Sequence, residues 1–382
     1  MSSASAQQIW TRNFSLIFLT HIVFSSSYCI LIPTLPIYFL NTGFREVEIG
    51  VLIGTLGIAS LLIRPFIGKA LVRVSEKSFM MAGALLFGLG SVGYLCSPSF
   101  WILFLMRIVQ GFGSAFIYTA AVTYVARTSP ETRLGQSLSY YYVAFNVAFA
   151  VTPSLGMFLV NAYDFTLLFV VCAGLAVCSM FIATKLGRGQ DDPSPKVDMK
   201  KVPLINREAL PTAVVALISG MNWGALTAFF PLYALSCRVA NPGLFFTAFA
   251  VTIVSGRALG ARILDRHSRE RVIRPCLMTS ILAMIILLFS STLPLFMLAA
   301  VVWGMGHALL FPALAAYTLD RTGSSRGPAM GTFSAFDEFG TSLGSIVSGI
   351  ILRLSGYPAM FLCLALFGIL NVIYFHFFVA RK

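Results

Sequence analysis

Charged residues are scarce in this sequence. Only 11% of its 382 residues are charged and 58% are apolar. In a typical soluble domain about a quarter of all residues are charged. The mean hydropathy of +0.85 therefore excludes an ordinary soluble enzyme and a disordered chain. The composition is that of an integral membrane protein.

Other signatures are missing as well. The seven cysteines form no CxxC or Cys/His spacing, so neither a disulfide framework nor a metal site is indicated. No GxxxxGK(S/T) phosphate loop occurs, which argues against ATP as the energy source of this chain. No Ser/His/Asp or metal-hydrolase constellation emerges, so we expect no enzyme and no cofactor.

Long apolar runs are what the sequence does contain. A bilayer core about 30 Å thick requires about 20 apolar residues per helix. Twelve runs meet this need: 14–40, 49–67, 79–96, 100–126, 138–160, 165–183, 210–235, 244–264, 272–289, 295–319, 330–352 and 360–379. The only long polar stretch, 185–207, separates the first six from the last six and has the composition of a linker.

The basic residues predict the orientation of these runs. With both termini in the cytoplasm, cytoplasmic segments hold 21 of the 27 Lys and Arg residues and the outer loops hold three. This distribution follows the positive-inside rule. The net charge of +13 is therefore mostly a mark of topology, and it does not indicate a nucleic-acid partner.

The two halves of the chain repeat. A shift of 193 residues superposes Arg64 on Arg257, Arg73 on Arg266, Gly111 on Gly304, Gly113 on Gly306, Tyr124 on Tyr317 and Arg133 on Arg326. Such an offset indicates duplication of a six-helix unit. The sequence thus predicts an all-α membrane protein of twelve transmembrane helices in two pseudo-symmetric six-helix bundles, 1–184 and 208–382, joined by the cytoplasmic linker 185–207. Substrate would bind between the halves near the midplane.

Three motifs resemble those of the major facilitator superfamily. Residues 68–77, Gly-Lys-Ala-Leu-Val-Arg-Val-Ser-Glu-Lys, and 261–269, Ala-Arg-Ile-Leu-Asp-Arg-His-Ser-Arg, resemble its loop motif G-x-x-x-D-R-x-G-R/K-R/K. Residues 107–111, Arg-Ile-Val-Gln-Gly, resemble its R-x-x-Q-G motif, which is linked to proton coupling. Residues 148–156 resemble a degenerate antiporter motif. The resemblance extends over nearly the whole chain and is closest to the bacterial drug-efflux and metallophore-exporter branches.

The resemblance also implies a conformational latch at the cytoplasmic loops, formed by Gly68, Arg73, Asp265 and Arg266. In the first loop motif Val72 replaces the family's aspartate, whereas the second copy retains its acid at Asp265. We therefore expect the second copy to contribute more to the latch. In the antiporter motif, Ala148 and Thr152 replace glycines, which weakens the inference of antiport.

Asp337 and Glu338 are the only acids deep within an apolar run. A charged side chain at the bilayer centre costs about 2.5–3.5 kcal/mol on insertion scales, so it must be paired, face water or take up a proton. Glu338, two residues before Gly340, occupies the family's acid position and is the leading candidate for proton coupling, with Asp337 beside it. The alternative is a structural pair that bridges helices.

Other intramembrane polar residues are candidates for coupling or for substrate contact. Arg107 could bind an anionic group or modulate the acids, or it could snorkel to the interface. His21 and His307 could relay protons, because histidine titrates near neutral pH, or could be structural. The residues that could shape a pocket for an amphipathic molecule are Arg107, Tyr28, Tyr141, Asn146, Asn222, Trp223 and His307.

Together these features predict a secondary active transporter, most simply a proton-coupled exporter of a small organic or amphipathic molecule such as a drug or metallophore. Its partners would be the small-molecule substrate, protons and membrane lipids, and it would act as a monomer in the bacterial inner membrane. Proton-coupled uptake of a small solute is the alternative, for which the same residues would suffice. An intramembrane lipid-handling enzyme is a remote alternative.

Overall fold

The structure is a computed structural model and describes residues 9–71, 73–96, 99–130, 133–187, 205–322 and 326–380. No strand occurs in these ranges. The α-helices in chain order are α1 Arg12–Cys29, α2 Leu31–Asn41, α3 Glu46–Ala70, α4 Glu76–Gly93, α5 Phe100–Thr128, α6 Leu134–Ala162, α7 Phe165–Thr184, α8 Leu210–Ser236, α9 Gly243–Arg266, α10 Arg269–Phe289, α11 Leu293–Arg321 and α12 Arg326–Tyr374.

Proline and glycine account for the two main interruptions. The first apolar run divides at Ile30 into α1 and α2, next to Pro33 and Pro36, whose nitrogens cannot donate the helical hydrogen bond. In α12 the helix breaks at Gly356, where φ is 79°, a conformation that glycine adopts without a Cβ clash. Pro358 follows, at the beginning of the second helical stretch.

Ten helical segments among the described residues are long and apolar enough to cross a membrane. The all-helical membrane class predicted from the sequence is therefore confirmed. The predicted runs 330–352 and 360–379 both fall in the single segment Gly327–Val379, on either side of the break at Gly356. The predicted run 79–96 coincides with α4, which is not among the ten. The number of twelve spans stays a prediction.

The chain divides into two compact units. The first comprises residues 1–31 and 58–200, and the second comprises residues 32–57 and 201–382. The second unit thus includes α2 and the first half of α3, which the sequence repeat assigns to the N-terminal half. The predicted domain boundaries stay a prediction, and most of the linker 185–207 lies outside the described residues.

Small residues bring helices close together in the first unit. A Cβ atom placed on Gly113 of α5 would lie 2.7 Å from the carbonyl oxygen of Gly83 on α4, and one placed on Gly83 would lie 2.6 Å from the carbonyl oxygen of Gly113. Contacts this short leave no room for a side chain on either residue. They fix where α4 and α5 cross.

The second unit has its own close crossings. A Cβ atom on Gly340 of α12 would overlap the carbonyl oxygen of Leu217 on α8, and one on Gly344 would overlap that of Met221. Residues 340 and 344 are one turn apart, so they form a small-residue stripe along α12. This crossing determines the position of the acids that precede it on α12.

Candidate functional site

The acids of α12 lie next to α8 and α3 in the second unit. A Cβ atom on Gly220 of α8 would lie 3.1 Å from Oδ1 of Asp337, so this carboxylate faces α8 at a point where α8 has no side chain. Glu338 follows about 100° further around the helix, and its Oε2 atom is buried. Both residues are half-buried. The two side chains therefore leave α12 on different sides, and that of Asp337 faces α8.

Aromatic rings surround His307 of α11. The ring centroid of Trp223 on α8 lies 6.1 Å from that of His307, with the planes 21° apart. The rings of Phe249, Trp303 and Phe311 lie 5.3, 5.8 and 5.2 Å from the imidazole. Two residues predicted for the site, Trp223 and His307, are thus brought together.

Asn222, next to Trp223 on α8, is only 3% exposed. Its side-chain Oδ1 is buried and has no hydrogen-bond partner among the described residues. A buried amide oxygen without a donor is costly in a protein interior. Asn222 is therefore an acceptor that a ligand or a water molecule can satisfy.

His21 of α1 lies in a second aromatic cluster, within the first unit. Its ring stacks on that of Tyr141 of α6 with centroids 4.0 Å apart, and its Nδ1 lies 3.1 Å from the carbonyl oxygen of Tyr141. Tyr118 packs against His21, and Tyr28 packs against Tyr118. His21 Nε2 and the Tyr141 hydroxyl are buried without a hydrogen-bond partner in the described part of the chain. Three predicted site residues therefore meet here.

Arg107 belongs to a polar network between α4 and α5. The residue is 7% exposed, and its Nη1 donates to Oε1 of Gln110 at 3.2 Å. The Tyr94 hydroxyl donates to the same oxygen, and Gln110 Nε2 donates to the Ser91 hydroxyl at 3.1 Å. Gln110, which sequence reasoning quoted as part of a motif but did not select, is the centre of this network.

The remaining predicted residues are more scattered. Asn146 donates from Nδ2 to the carbonyl oxygen of Tyr142 one turn earlier on α6, at 3.2 Å. A Cβ atom on Gly68 would have no neighbour within 4 Å, and Arg73 is exposed. Asp265 and Arg266 end α9, but their side chains lie outside the described part of the structure, and Val72 lies outside it altogether. The latch is therefore not tested by the geometry.

Sequence reasoning used Arg64 and Arg257 only as markers of the repeat. The charge count contained a signal, because 21 basic residues assigned to the cytoplasmic side and three assigned to the outer side leave three of the 27 assigned to neither side. These three are Arg64, Arg107 and Arg257. Arg257 lies on α9 within the apolar segment Gly243–Gly260 and is half-buried, with its Nε shielded from solvent.

Comparison with known proteins shows the family. The family model of the Major Facilitator Superfamily matches residues 17–240 and 212–382. A staphylopine export protein of Staphylococcus aureus is 22% identical over 91% of this chain and 91% of its own length. The quinolone resistance protein NorA of the same species is 20% identical, covering 84% of this chain and 85% of that protein.

The fold also matches a solved structure. The nucleoside transporter NupG superposes with a TM-score of 0.80 over 97% of this chain and 100% of that chain, at 14% identity. At this identity the likeness shows the fold alone. Because the family model matches nearly the whole sequence and the helices are long and apolar enough to cross a membrane, this multi-pass membrane protein belongs to the Major Facilitator Superfamily.

Proposed function

We propose that this protein is a proton-coupled exporter that exchanges protons for a small organic or amphipathic molecule by alternating access. The observation that carries the proposal is the pair Asp337 and Glu338, the only charged residues of the run 330–352, with the Glu338 Oε2 atom buried. The names of two relatives, a staphylopine export protein and a quinolone resistance protein, favour export of small molecules.

The proposed cycle depends on the high cost of an ionised carboxylate in hydrocarbon. Protonation from outside neutralises Glu338 and allows the protein to reorient. Release of that proton to the cytoplasm then leaves a carboxylate, and substrate exchanges for the proton at the inward-facing cavity. A potential of 100 mV supplies about 2.3 kcal/mol for each charge moved across the membrane.

The other residues have supporting roles in this scheme. Asp337 adds a second acid beside α8, and His21 and His307 supply titratable nitrogens. Arg107 modulates the acids or contacts an anionic part of the substrate. The pocket residues proposed here are Arg107, Tyr28, Tyr141, Asn146, Asn222, Trp223 and His307, and the latch residues are Gly68, Arg73, Asp265 and Arg266.

The proposal includes the membrane arrangement. Both termini and the linker 185–207 lie in the cytoplasm of a bacterial cell, the protein acts as a monomer, and the two six-helix halves 1–184 and 208–382 move relative to each other. The distribution of basic residues and the 193-residue repeat support this arrangement.

Substrate-linked proton movement in proteoliposomes tests the coupling site. A panel of quinolones and zwitterionic metal chelators would be screened for a compound that the wild-type protein moves against a pH gradient, while a trapped dye reports internal pH. Glu338→Gln should abolish the pH change that accompanies substrate and retain substrate counterflow, because the amide keeps the shape of the side chain but cannot carry the proton. Asp337→Asn should reduce the pH change less.

The controls separate coupling from folding and direction. Equal size-exclusion profiles of the variants would show that the protein folds. Undiminished proton flux in the Asp337→Asn/Glu338→Gln double variant would refute the mechanism. Net uptake of substrate together with protons, instead of exchange, would replace export by the symport alternative, for which the same acids suffice.

A further inference from the structure

Arg257 occupies the packed face of α9, although it is an arginine in an apolar segment. Phe246, Ala250 and Ile253 precede it at spacings of three and four residues, and all three are buried. The side chain of Arg257 therefore points towards the helices that pack on α9. An intramembrane guanidinium on a packed face requires an acceptor or a polar space, because its desolvation is costly.

The contact of α9 with α11 places Arg257 near His307. A Cβ atom on Gly256 would lie 2.8 Å from the Cβ of Ala308. Arg257 follows Gly256 and His307 precedes Ala308, so both lie at the same level of the crossing between α9 and α11. Arg257 Nε is buried and has no hydrogen-bond partner among the described residues.

Aromatic rings cluster around His307 at the level of this guanidinium. Around His307 lie Trp223, Phe249, Trp303 and Phe311, which come from α8, α9 and α11 of the same unit. Trp223 and Trp303 also contact each other, with centroids 5.6 Å apart. An aromatic ring and an unsatisfied guanidinium donor at the same level of the helix crossing supply the two elements that bind an aromatic acid, which are a stacking face and a charged fork.

We propose that Arg257, His307 and the ring of Trp223 form a subsite for organic anions. The carboxylate of the ligand accepts hydrogen bonds from Arg257, and its planar body packs against the ring. This inference rests on the proposed function, since it names the chemical class of the molecule that the transporter carries. It assigns the primary anion contact to Arg257 on α9.

The sign of the charge decides against a cationic ligand. Aromatic rings alone would also attract a cation, but a guanidinium in the same cluster repels one. Among the described residues Arg257 takes part in no ion pair that would neutralise it. A carboxylate, by contrast, matches the planar fork of arginine and gains charge-assisted hydrogen bonds.

Equilibrium binding to the purified full-length protein tests the subsite. The probes are 4-nitrobenzoate and 4-nitrobenzamide, which have nearly the same shape but differ in charge, and both quench tryptophan fluorescence. Of the four tryptophans, Trp10 and Trp101 are exposed and would be replaced by phenylalanine, so that Trp223 and Trp303 report. The benzoate should bind at least about tenfold more tightly than the benzamide.

Arg257→Gln should remove this preference by weakening benzoate binding about tenfold or more, with benzamide binding unchanged within about twofold. Arg257→Lys should retain part of it, because the charge remains and the fork is lost. The matched control is Arg64→Gln, the equivalent arginine of the other half, which should leave the ratio unchanged. Thermal unfolding of each variant would verify folding.

Several results would overturn the subsite: equal binding of the two probes to the wild-type protein, no binding of either, or equal loss in Arg64→Gln and Arg257→Gln. These binding measurements use no ion gradient, so their result does not depend on whether transport is coupled to protons. Loss of charge preference in Arg257→Gln together with intact proton flux in Glu338→Gln would sustain the subsite and refute the coupling mechanism.

Discussion

Two buried arginines differ in the hydrogen-bond partners that their neighbours supply. Arg107 and Arg257 are both arginines inside apolar segments. Arg107 donates to the amide oxygen of Gln110, which joins it to α4, whereas Arg257 Nε is buried without a partner in the described residues. Arg107 is therefore held in a polar network, whereas the described residues offer no hydrogen-bond partner to the Nε atom of Arg257.

The network around Gln110 gives a prediction about stability. Gln110→Leu keeps the approximate volume but removes the acceptor of Arg107 and Tyr94 and the donor to Ser91. We expect the free energy of unfolding to fall by about 1–3 kcal/mol, because buried polar groups lose partners. Chemical denaturation of the purified protein in detergent measures it.

Gln136→Leu is the matched control for this change. Gln136 is exposed and donates only to the hydroxyl of Tyr140 one turn later. A surface change of this kind should alter stability by less than about 0.5 kcal/mol. Equal losses in the two variants would show that the Gln110 network does not stabilise the contact between α4 and α5.

At the scale of the helix, hydropathy predicted nearly every element and some of its breaks. The apolar runs coincide with helices, and the break at Gly356 lies in the gap predicted between residues 352 and 360. Hydropathy could not predict which residues meet across helices. The stacking of His21 on Tyr141 depends on how α1 and α6 rotate and cross, which the hydropathy of either helix alone does not encode.

Glycines at helix crossings give the prediction at this scale. Gly340→Ala should lower the melting temperature in detergent and the yield of folded protein, because the new Cβ would overlap the carbonyl oxygen of Leu217, and backbone cannot rotate away as a side chain can. Gly331→Ala on the same helix is the control. Its Cβ would have no neighbour within 4 Å, so stability should be unchanged or improved. Similar losses in both variants would contradict a tight crossing.

At the scale of the whole chain, the repeat is visible in the contacts within each unit. The Cβ position of Gly113 approaches the carbonyl oxygen of Gly83, and that of Gly306 approaches the carbonyl oxygen of Cys276, which are the same pairs shifted by 193 residues. The second contact needs a glycine only at Gly306. Its partner Cys276 contributes only a backbone carbonyl group, so a side chain at that position does not prevent the contact.

A second repeated contact joins a tyrosine to the end of each half. The Tyr124 hydroxyl donates to the carbonyl oxygen of Gly187 at 3.1 Å. The Tyr317 hydroxyl lies 3.0 Å from the carbonyl oxygen of Val379 and also 3.0 Å from Glu270 Oε1. These tyrosines are 193 residues apart. At both positions the tyrosine hydroxyl contacts the carbonyl oxygen of a residue that follows a long helix, whereas the position equivalent to Arg107 is Ala300.

The orientation of the chain gives the prediction at this scale. In a background with all seven cysteines replaced by alanine, Ser194→Cys in the linker should react with a membrane-impermeant maleimide only after cells are permeabilised. Ala240→Cys, exposed between α8 and α9, should react in intact cells. The expectation follows from the positive-inside rule, since the predicted topology places 21 basic residues on the linker side and three on the other. Labelling of Ser194→Cys in intact cells would show that the membrane topology is the reverse of the predicted one. The side from which Glu338 takes up its proton would then be reversed as well.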